Sequence, residues 1–130
     1  MHTAQAPATG PISFAAPGLL HWLAHATPAQ IDALPMGVVT MLPDTTVIHY
    51  NACEASLSGL TPARVVGRKF FADVAPCANN AMVAERFAAS ELDDTIDYVF
   101  TFKLAPKKVR LRLLKHPGFP HIYLVVQQRN

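Results

Sequence analysis

The sequence predicts a single α+β domain in which a five-stranded antiparallel sheet carries helices on one face and an N-terminal helical cap. The chain has 130 residues, a length typical of one domain, and 51% of them are hydrophobic, which is enough to form a sizeable core. The predicted order of elements is strand, strand, short helices, a longer helix and then three strands. Antiparallel hairpins separated by helices favour a sheet with its helices packed against it.

The first 34 residues are predicted to form a leader and a helical cap. Residues 1–17 are rich in alanine, proline and threonine, which is typical of a loosely docked segment. Between Leu19 and Leu34 the apolar spacing predicts two short amphipathic helices. Thr27 is predicted to cap the second of them, with a proline at the first helical position and Gln30 completing a capping box. Residues 35–130 are assigned to the core of the domain.

The core begins with a predicted hairpin and two short helices. Residues 36–42 and 46–50 have the composition of strands, and residues 43–45 are typical of a turn. Asn51 is predicted to cap the next helix, with Glu54 at the capping-box position. A further helix starts at residues 61–62 and ends near residue 67.

The second half is predicted to contain one longer helix and three strands. The helix covers residues 80–90, and its buried side is formed by Met82, Val83, Phe87 and Ala88. Alternating residues at 96–102 and 109–113 and an apolar run at 122–126 predict the strands, the last two joined across residues 116–120. This order of elements is the layout of a PAS-like sensory domain.

Composition argues against several classes of protein. A formal net charge of +2 is too small to indicate nucleic-acid binding. No apolar run approaches the ~20 residues of a membrane-spanning helix, and the N-terminus lacks the pattern of a secretory signal. We therefore expect a cytoplasmic protein without a membrane anchor.

The basic and cysteine residues also have simple interpretations. A basic cluster alternates with apolar residues, which favours the solvated face of a strand over a nucleic-acid surface; it consists of Lys107, Lys108, Arg110, Arg112 and Lys115. The two cysteines, Cys53 and Cys77, lack the spacing of metal ligands. A disulfide between them is not expected in a cytosolic protein.

Cys77 is the first candidate functional residue, because it follows Pro76 in a loop ahead of the predicted helix. The proline stiffens the loop, and the N-terminus of a helix favours a thiolate. The same position also fits an ordinary half-buried cysteine. A cysteine hydrolase is a third alternative, but none of the six histidines stands in a motif with Cys77 to act as its base.

Tyr50 and Glu54 form a second candidate site. They lie four residues apart, across the end of a strand and the first turn of a helix, so a phenol and a carboxyl can reach the same side of a pocket. Ser58 lies one helical turn further on, where its hydroxyl can hold Tyr50 or face solvent. The alternative for Glu54 is a capping-box role toward Asn51.

A longer pattern connects these candidates. Tyr50-Asn51-Ala52-Cys53-Glu54 is followed by Gly59, by Val66-Gly67-Arg68-Lys69-Phe70-Phe71 and by Asp73-Val74-Ala75-Pro76-Cys77. The pattern continues through Tyr98, Phe100, Pro106, Lys108 and Val109. Over about residues 31–128 the sequence resembles the photoactive yellow protein family.

The resemblance implies a blue-light photoreceptor that turns over no substrate. Cys77 would carry 4-hydroxycinnamic acid (p-coumaric acid) as a thioester. Tyr50 and Glu54 would hydrogen-bond its phenolic oxygen, and Ser58 would support Tyr50 where the family has a threonine. The other cofactor-binding positions would be Phe70, Val74, Phe100 and Leu104.

The resemblance also implies how a signal would arise. Trans–cis photoisomerisation, proton transfer from Glu54 and partial unfolding of the N-terminal cap would inform a downstream protein or a C-terminal transducer such as a histidine kinase. The alternative is a colourless PAS-type ligand-binding or dimerisation module. Such a module needs none of Tyr50, Glu54 and Cys77, so their joint presence favours the photoreceptor.

Two positions depart from the family pattern. Leu60 stands where an arginine that gates the pocket is common, and Leu104 stands where a methionine near the chromophore is common. The methionine is associated with fast thermal recovery, so we expect slow return to the dark state. Recovery within milliseconds would contradict this expectation.

Overall fold

The computed structural model describes residues 12–101 and 106–129, which form four α-helices and five strands. The first half contains α1 (Leu19–His25), α2 (Pro28–Asp32), β1 (Gly37–Met41), β2 (Val47–Tyr50), α3 (Ala52–Ser58) and α4 (Pro62–Val65). A π-helical turn (Phe70–Val74) and two 3₁₀ turns (Pro76–Ala78 and Ala84–Ala88) follow. The second half then contains β3 (Leu92–Thr101), β4 (Pro106–Lys115) and β5 (Ile122–Gln128).

The five strands form one antiparallel sheet in the order β2-β1-β5-β4-β3. β1 pairs with β5, so the first and last strands of the domain lie side by side at its centre. β3 and β4 form the longest pair, in register from Leu92 opposite Lys115 to Thr101 opposite Pro106. The predicted α+β architecture with one five-stranded antiparallel sheet is confirmed.

Each face of the sheet is covered by its own core. The pocket-side core lies against α3, α4 and the turns that follow; its buried members include Tyr50, Phe70, Phe71, Phe100, Leu111, Leu113 and Leu124. The cap-side core joins residues 12–34 to the opposite face; its buried members are Phe14, Leu19, Leu23, Ile31, Leu34, Met36, Val38, Leu114, Tyr123 and Val125. Successive residues of β4 and β5 alternate between the two cores, as expected of strands covered on both faces.

The predicted capping box at the start of α2 is confirmed. Thr27 accepts a hydrogen bond from the Gln30 backbone N–H at 3.1 Å, and the Gln30 side chain accepts one from the Thr27 N–H at 2.8 Å. This reciprocal pair is the capping box that starts α2. The cap helices are short, so their packing into the cap-side core must supply most of their stability.

The predicted helix over residues 80–90 is wrong. Residues 81–83 form a turn, only Ala84–Ala88 are helical, and that segment is a 3₁₀ helix. The Asn80 side chain accepts hydrogen bonds from the backbone N–H groups of Met82 and Val83 as a helix N-cap does, but the backbone of Val83 (φ −123°, ψ −75°) lies outside the helical region, so no α-helix continues from it. Val83 and Phe87 are buried as predicted, whereas Met82 and Ala88 are exposed.

Arg112 departs from the predicted solvated face of β4. Its side chain is only 7% exposed, and its Nε and Nη2 donate to the two carboxylate oxygens of Asp93 at 2.8 and 2.9 Å. Its Nη1 donates to the backbone carbonyls of Phe14 and Ala16. Arg110 is exposed and pairs with Asp97, as the solvated interpretation requires.

Two kinds of feature are absent from residues 12–101 and 106–129. No helix there is long and apolar enough to cross a membrane. In the same part of the chain, no three histidine, cysteine or acidic side chains converge as metal ligands.

Candidate functional site

The end of β2 and the start of α3 bring Tyr50, Glu54 and Ser58 together in the interior. All three are at most 1% exposed. The Tyr50 hydroxyl donates to Ser58 Oγ at 2.8 Å and lies 3.5 Å from Glu54 Oε2. The predicted spacing therefore does place a phenol, a carboxyl and a hydroxyl on one side of the core.

The capping-box interpretation of Glu54 is wrong. The Asn51 side chain does accept a hydrogen bond from the Glu54 backbone N–H, at 3.0 Å. The Asn51 backbone N–H, however, donates to the Val38 carbonyl, so it is not the partner of the Glu54 carboxyl. The carboxyl points into the core instead.

Glu54 is held as a neutral acid. Its side chain is fully buried, and Oε1 has no hydrogen-bond partner among the described residues. Burial raises the pKa of Glu54 to about 8, while the hydrogen bond with Tyr50 acts in the opposite direction. Burial and the adjacent Glu54 likewise raise the pKa of Tyr50 far above its usual range. Burial therefore favours the protonated form of both groups at neutral pH.

Gly37 makes room for the Glu54 carboxyl, a role that the sequence interpretation missed. A methyl group built on Gly37 would overlap Glu54 Oε1. Gly37 starts a strand whose other residues are fully buried, and a glycine inside such a strand often marks the close approach of another group. The glycine was visible in the sequence, but the sequence did not show that Glu54 is the group that approaches it.

Asn51 is a second residue whose full role was missed. It is fully buried, and its side-chain oxygen accepts from the N–H groups of both Val38 and Glu54. Its side-chain nitrogen donates to the carbonyls of Ile31 in α2 and Met36 before β1, each at 3.0 Å. One amide thus links the helix that carries Glu54 to the cap.

Cys77 lies in the 3₁₀ turn after the π-helical turn, half-buried against the pocket-side core. Both cysteines are free thiols. Residues 80–90 contain a 3₁₀ turn and no α-helix, so the predicted helix terminus next to the Cys77 thiol is absent. Instead, the Cys77 carbonyl accepts hydrogen bonds from the Tyr98 hydroxyl at 2.7 Å and the Asn80 amide at 3.1 Å.

The remaining predicted residues lie around the same core. Phe70 and Phe100 are fully buried in it, and Val74 packs against it. Leu60, at the position of the expected arginine, also packs against this core. Leu104 lies outside the described residues.

The chain is similar to photoactive yellow proteins in both sequence and structure. No family model matches the chain. The photoactive yellow protein of Rhodothalassium salexigens is 36% identical over 89 residues, which are 65% of this chain and 71% of that protein. The photoactive yellow protein of Halochromatium salexigens is 30% identical over 108 residues, 80% of this chain and 86% of that protein.

A solved structure of a photoactive yellow protein domain has a similar fold. The photoactive yellow protein domain of the sensor histidine kinase Ppr from Rhodospirillum centenum superposes with a TM-score of 0.76 and 33% sequence identity. The match covers 83% of this chain and 98% of that domain.

Proposed function

This chain belongs to the photoactive yellow protein family of PAS photoreceptors, and on that premise we propose that it senses blue light through 4-hydroxycinnamic acid bound as a thioester to Cys77. The observation that carries the proposal is the buried, neutral Glu54 beside Tyr50, with one carboxyl oxygen that lacks a partner among the described residues. A buried polar atom of this kind requires an explanation, and the polar end of a bound ligand supplies one.

The residues present fit this group. Cys77 has a free thiol at the edge of the core that contains Tyr50, Phe70 and Phe100. When bound, 4-hydroxycinnamic acid would supply blue absorption as its phenolate and a double bond that isomerises in light. Phe70, Val74 and Phe100 would exclude water from it.

Tyr50 and Glu54 would stabilise negative charge on the phenolic oxygen. A free phenol has a pKa of ~10, and hydrogen-bond donors aimed at its oxygen lower that value. Glu54 can donate because burial keeps it protonated. Tyr50 can donate to the phenolic oxygen if its hydroxyl turns away from Ser58. The hydrogen bond between the two residues is then reversed, with the Ser58 hydroxyl donating to the Tyr50 oxygen.

Glu54 would then act as the proton source for signalling. Loss of its proton leaves a carboxylate that is fully buried and without a cationic partner in the described core. Such a charge costs several kcal/mol, a large part of the stability of an ordinary domain. Asn51 links the Glu54 backbone to α2, so strain at Glu54 acts directly on the cap, which we propose to be the part that is released.

The released cap would present its signal to a transducer. The solved domain that matches over 83% of this chain comes from a sensor histidine kinase, which supports a kinase or a similar downstream protein as the partner. On this proposal residues 1–34 are the signalling segment and residues 35–130 form the chromophore-binding core.

Reconstitution with activated p-coumaric acid tests the proposal. We expect a visible absorption band that bleaches reversibly in blue light and is absent from Cys77→Ala. Cys53→Ala is the matched control and should keep the band, since Cys53 lies on α3 rather than in the Cys77 turn. If the wild-type protein took up no coloured group, the chain would instead be the colourless PAS-type module.

A further inference from the structure

The carbonyl oxygen of Cys77 is the centre of a closed set of hydrogen bonds. It accepts from the Tyr98 hydroxyl at 2.7 Å and from Asn80 Nδ2 at 3.1 Å. Asn80 Nδ2 also donates to the Tyr98 hydroxyl oxygen, at 2.7 Å. The three groups therefore fix one another.

Both donors are themselves held in place. The oxygen of the Asn80 side chain accepts from the backbone N–H groups of Met82 and Val83. The Tyr98 ring belongs to β3 and meets the Phe100 ring edge-on, with the centroids 5.6 Å apart. The Cys77 turn is thus attached to the sheet by a side chain from a strand that is rigidly paired along its whole length.

The backbone around Cys77 depends on this attachment. Ala75 (φ −131°, ψ 65°) and Asn79 (φ −84°, ψ 71°), on either side of the 3₁₀ turn, lie outside the helical and strand regions, so no regular element sets the direction of the chain. A group joined to a side chain through one sulfur is aimed by the Cα–Cβ bond of that residue. Fixing the carbonyl of Cys77 fixes the peptide plane next to that bond.

We propose that Tyr98 and Asn80 are positioning residues for the ligand attached at Cys77. They hold the Cys77 backbone so that the polar end of the ligand meets Tyr50 and Glu54 at the far end of the pocket-side core. This inference rests on the proposed function, because it concerns how the attached group is aimed. It assigns Tyr98 and Asn80 a role through Cys77 and no contact with the ligand itself.

Two variants isolate the hydrogen bonds. Tyr98→Phe removes the hydroxyl and keeps the ring against Phe100. Asn80→Asp keeps an oxygen that can accept from Met82 and Val83 but removes both donated bonds. Tyr123→Phe is the matched control, because it removes a tyrosine hydroxyl from the cap-side core.

The first measurement uses the protein without chromophore. Iodoacetamide alkylation of Cys77 is followed by mass spectrometry relative to Cys53 in the same molecule. We expect Tyr98→Phe and Asn80→Asp each to raise this ratio about fivefold, the effect of losing the one hydrogen bond that each side chain donates to the Cys77 carbonyl. Tyr123→Phe should leave the ratio unchanged.

The second measurement uses the loaded protein at equal thioester stoichiometry. Both variants should show a larger fraction of the ultraviolet-absorbing, protonated phenol at neutral pH than the wild type, because the phenolic oxygen is offset from its donors. A purely structural role would change the alkylation ratio and leave this fraction as in the wild type, and that result would overturn the inference. If the wild type formed no coloured adduct, the proposed function would fail first.

Discussion

Glu54 is a fully buried acid, and its burial favours the protonated form. The pKa of the folded protein's Glu54 is about 8, above the ordinary value of 4.5, so between these two pH values the folded state binds a proton that the unfolded state has released. The free energy of unfolding is therefore highest below the ordinary pKa and falls as the pH rises toward 8.

This linkage predicts that the free energy of unfolding depends on pH through Glu54. Between pH 6 and pH 8 the chromophore-free wild type should lose about 2 kcal/mol of stability through Glu54, as one proton bound only by the folded state is given up. In Glu54→Gln, which cannot ionise, that loss should be absent. Urea unfolding at the two pH values measures both, and equal losses in the two proteins would mean that Glu54 is not neutral in the fold.

Gly37 gives a second test at the scale of single residues. In Gly37→Ala the new methyl group overlaps Glu54 Oε1, so the carboxyl must move, at a cost of ~1–3 kcal/mol. Gly18→Ala is the control, because a methyl group there meets no atom within 4 Å. Urea unfolding compares them, and Glu54→Ala should relieve most of the cost when combined with Gly37→Ala. If the two glycine variants were equally stable, the close approach would not exist.

Among the elements, β4 connects the two cores because its residues alternate between them. Leu111 and Leu113 face the pocket-side core, and Leu114 faces the cap-side core. Arg112 also faces the cap, where it binds Asp93 and two backbone carbonyls of the N-terminal segment. Removing one partner of such a buried charged network lowers the stability of the fold, because the remaining groups lose their hydrogen bonds.

Arg112 is therefore expected to hold the N-terminal segment on the sheet. In Arg112→Gln, amide hydrogen exchange over residues 12–25 should become about tenfold faster, which corresponds to the loss of a charge-assisted hydrogen bond. Arg110→Gln is the control. Arg110 lies on the same strand and pairs with the exposed Asp97, so in this variant hydrogen exchange over residues 12–25 should stay near the wild-type rate. Equal exchange rates in the two variants would show that Arg112 does not hold the segment.

The elements that the sequence predicted correctly are those with local signals. The capping box at Thr27, the hairpin before Asn51 and the alternation in β3 and β4 each depend on residues close in the chain. The helix over residues 80–90 was predicted from the spacing of apolar residues, but the backbone of Val83 (φ −123°, ψ −75°) lies outside the helical region, so the chain does not continue as an α-helix. The side-chain oxygen of Asn80 accepts from the N–H groups of Met82 and Val83 as a helix N-cap does, so the local start signal is present without the helix.

In the candidate site, too, contacts between residues close in the chain were easier to predict than contacts between distant ones. Tyr50 ends a strand and Glu54 and Ser58 lie one helical turn apart, so the sequence showed that the three could meet, but it left a capping role for Glu54 and a solvent-facing Ser58 open. The burial of Arg112 depends on Phe14 and Ala16, which are nearly a hundred residues away in the chain. The space under Glu54 depends on Gly37 in another strand, and the hold on Cys77 depends on Tyr98. Contacts of this range become visible only when the sheet is assembled.

At the scale of the whole molecule, the sheet separates a core that contains the candidate site from a core formed with the cap. Asn51 is one connection between the two sides, because its side chain hydrogen-bonds the Glu54 helix, β1 and α2. A charge appearing at Glu54 thus acts close to a point where the cap is attached. On the proposed function, this arrangement would let the loss of one proton at Glu54 act on the cap, on the opposite face of the sheet.

The most direct test of this account is the light-minus-dark infrared difference spectrum of the reconstituted protein. If Glu54 holds a proton in the dark and releases it after illumination, the carbonyl band of a protonated carboxylic acid should disappear and a carboxylate band should appear. Both changes should be missing in Glu54→Gln. A wild-type protein that bleaches in light while its carboxylic acid band persists would contradict the account.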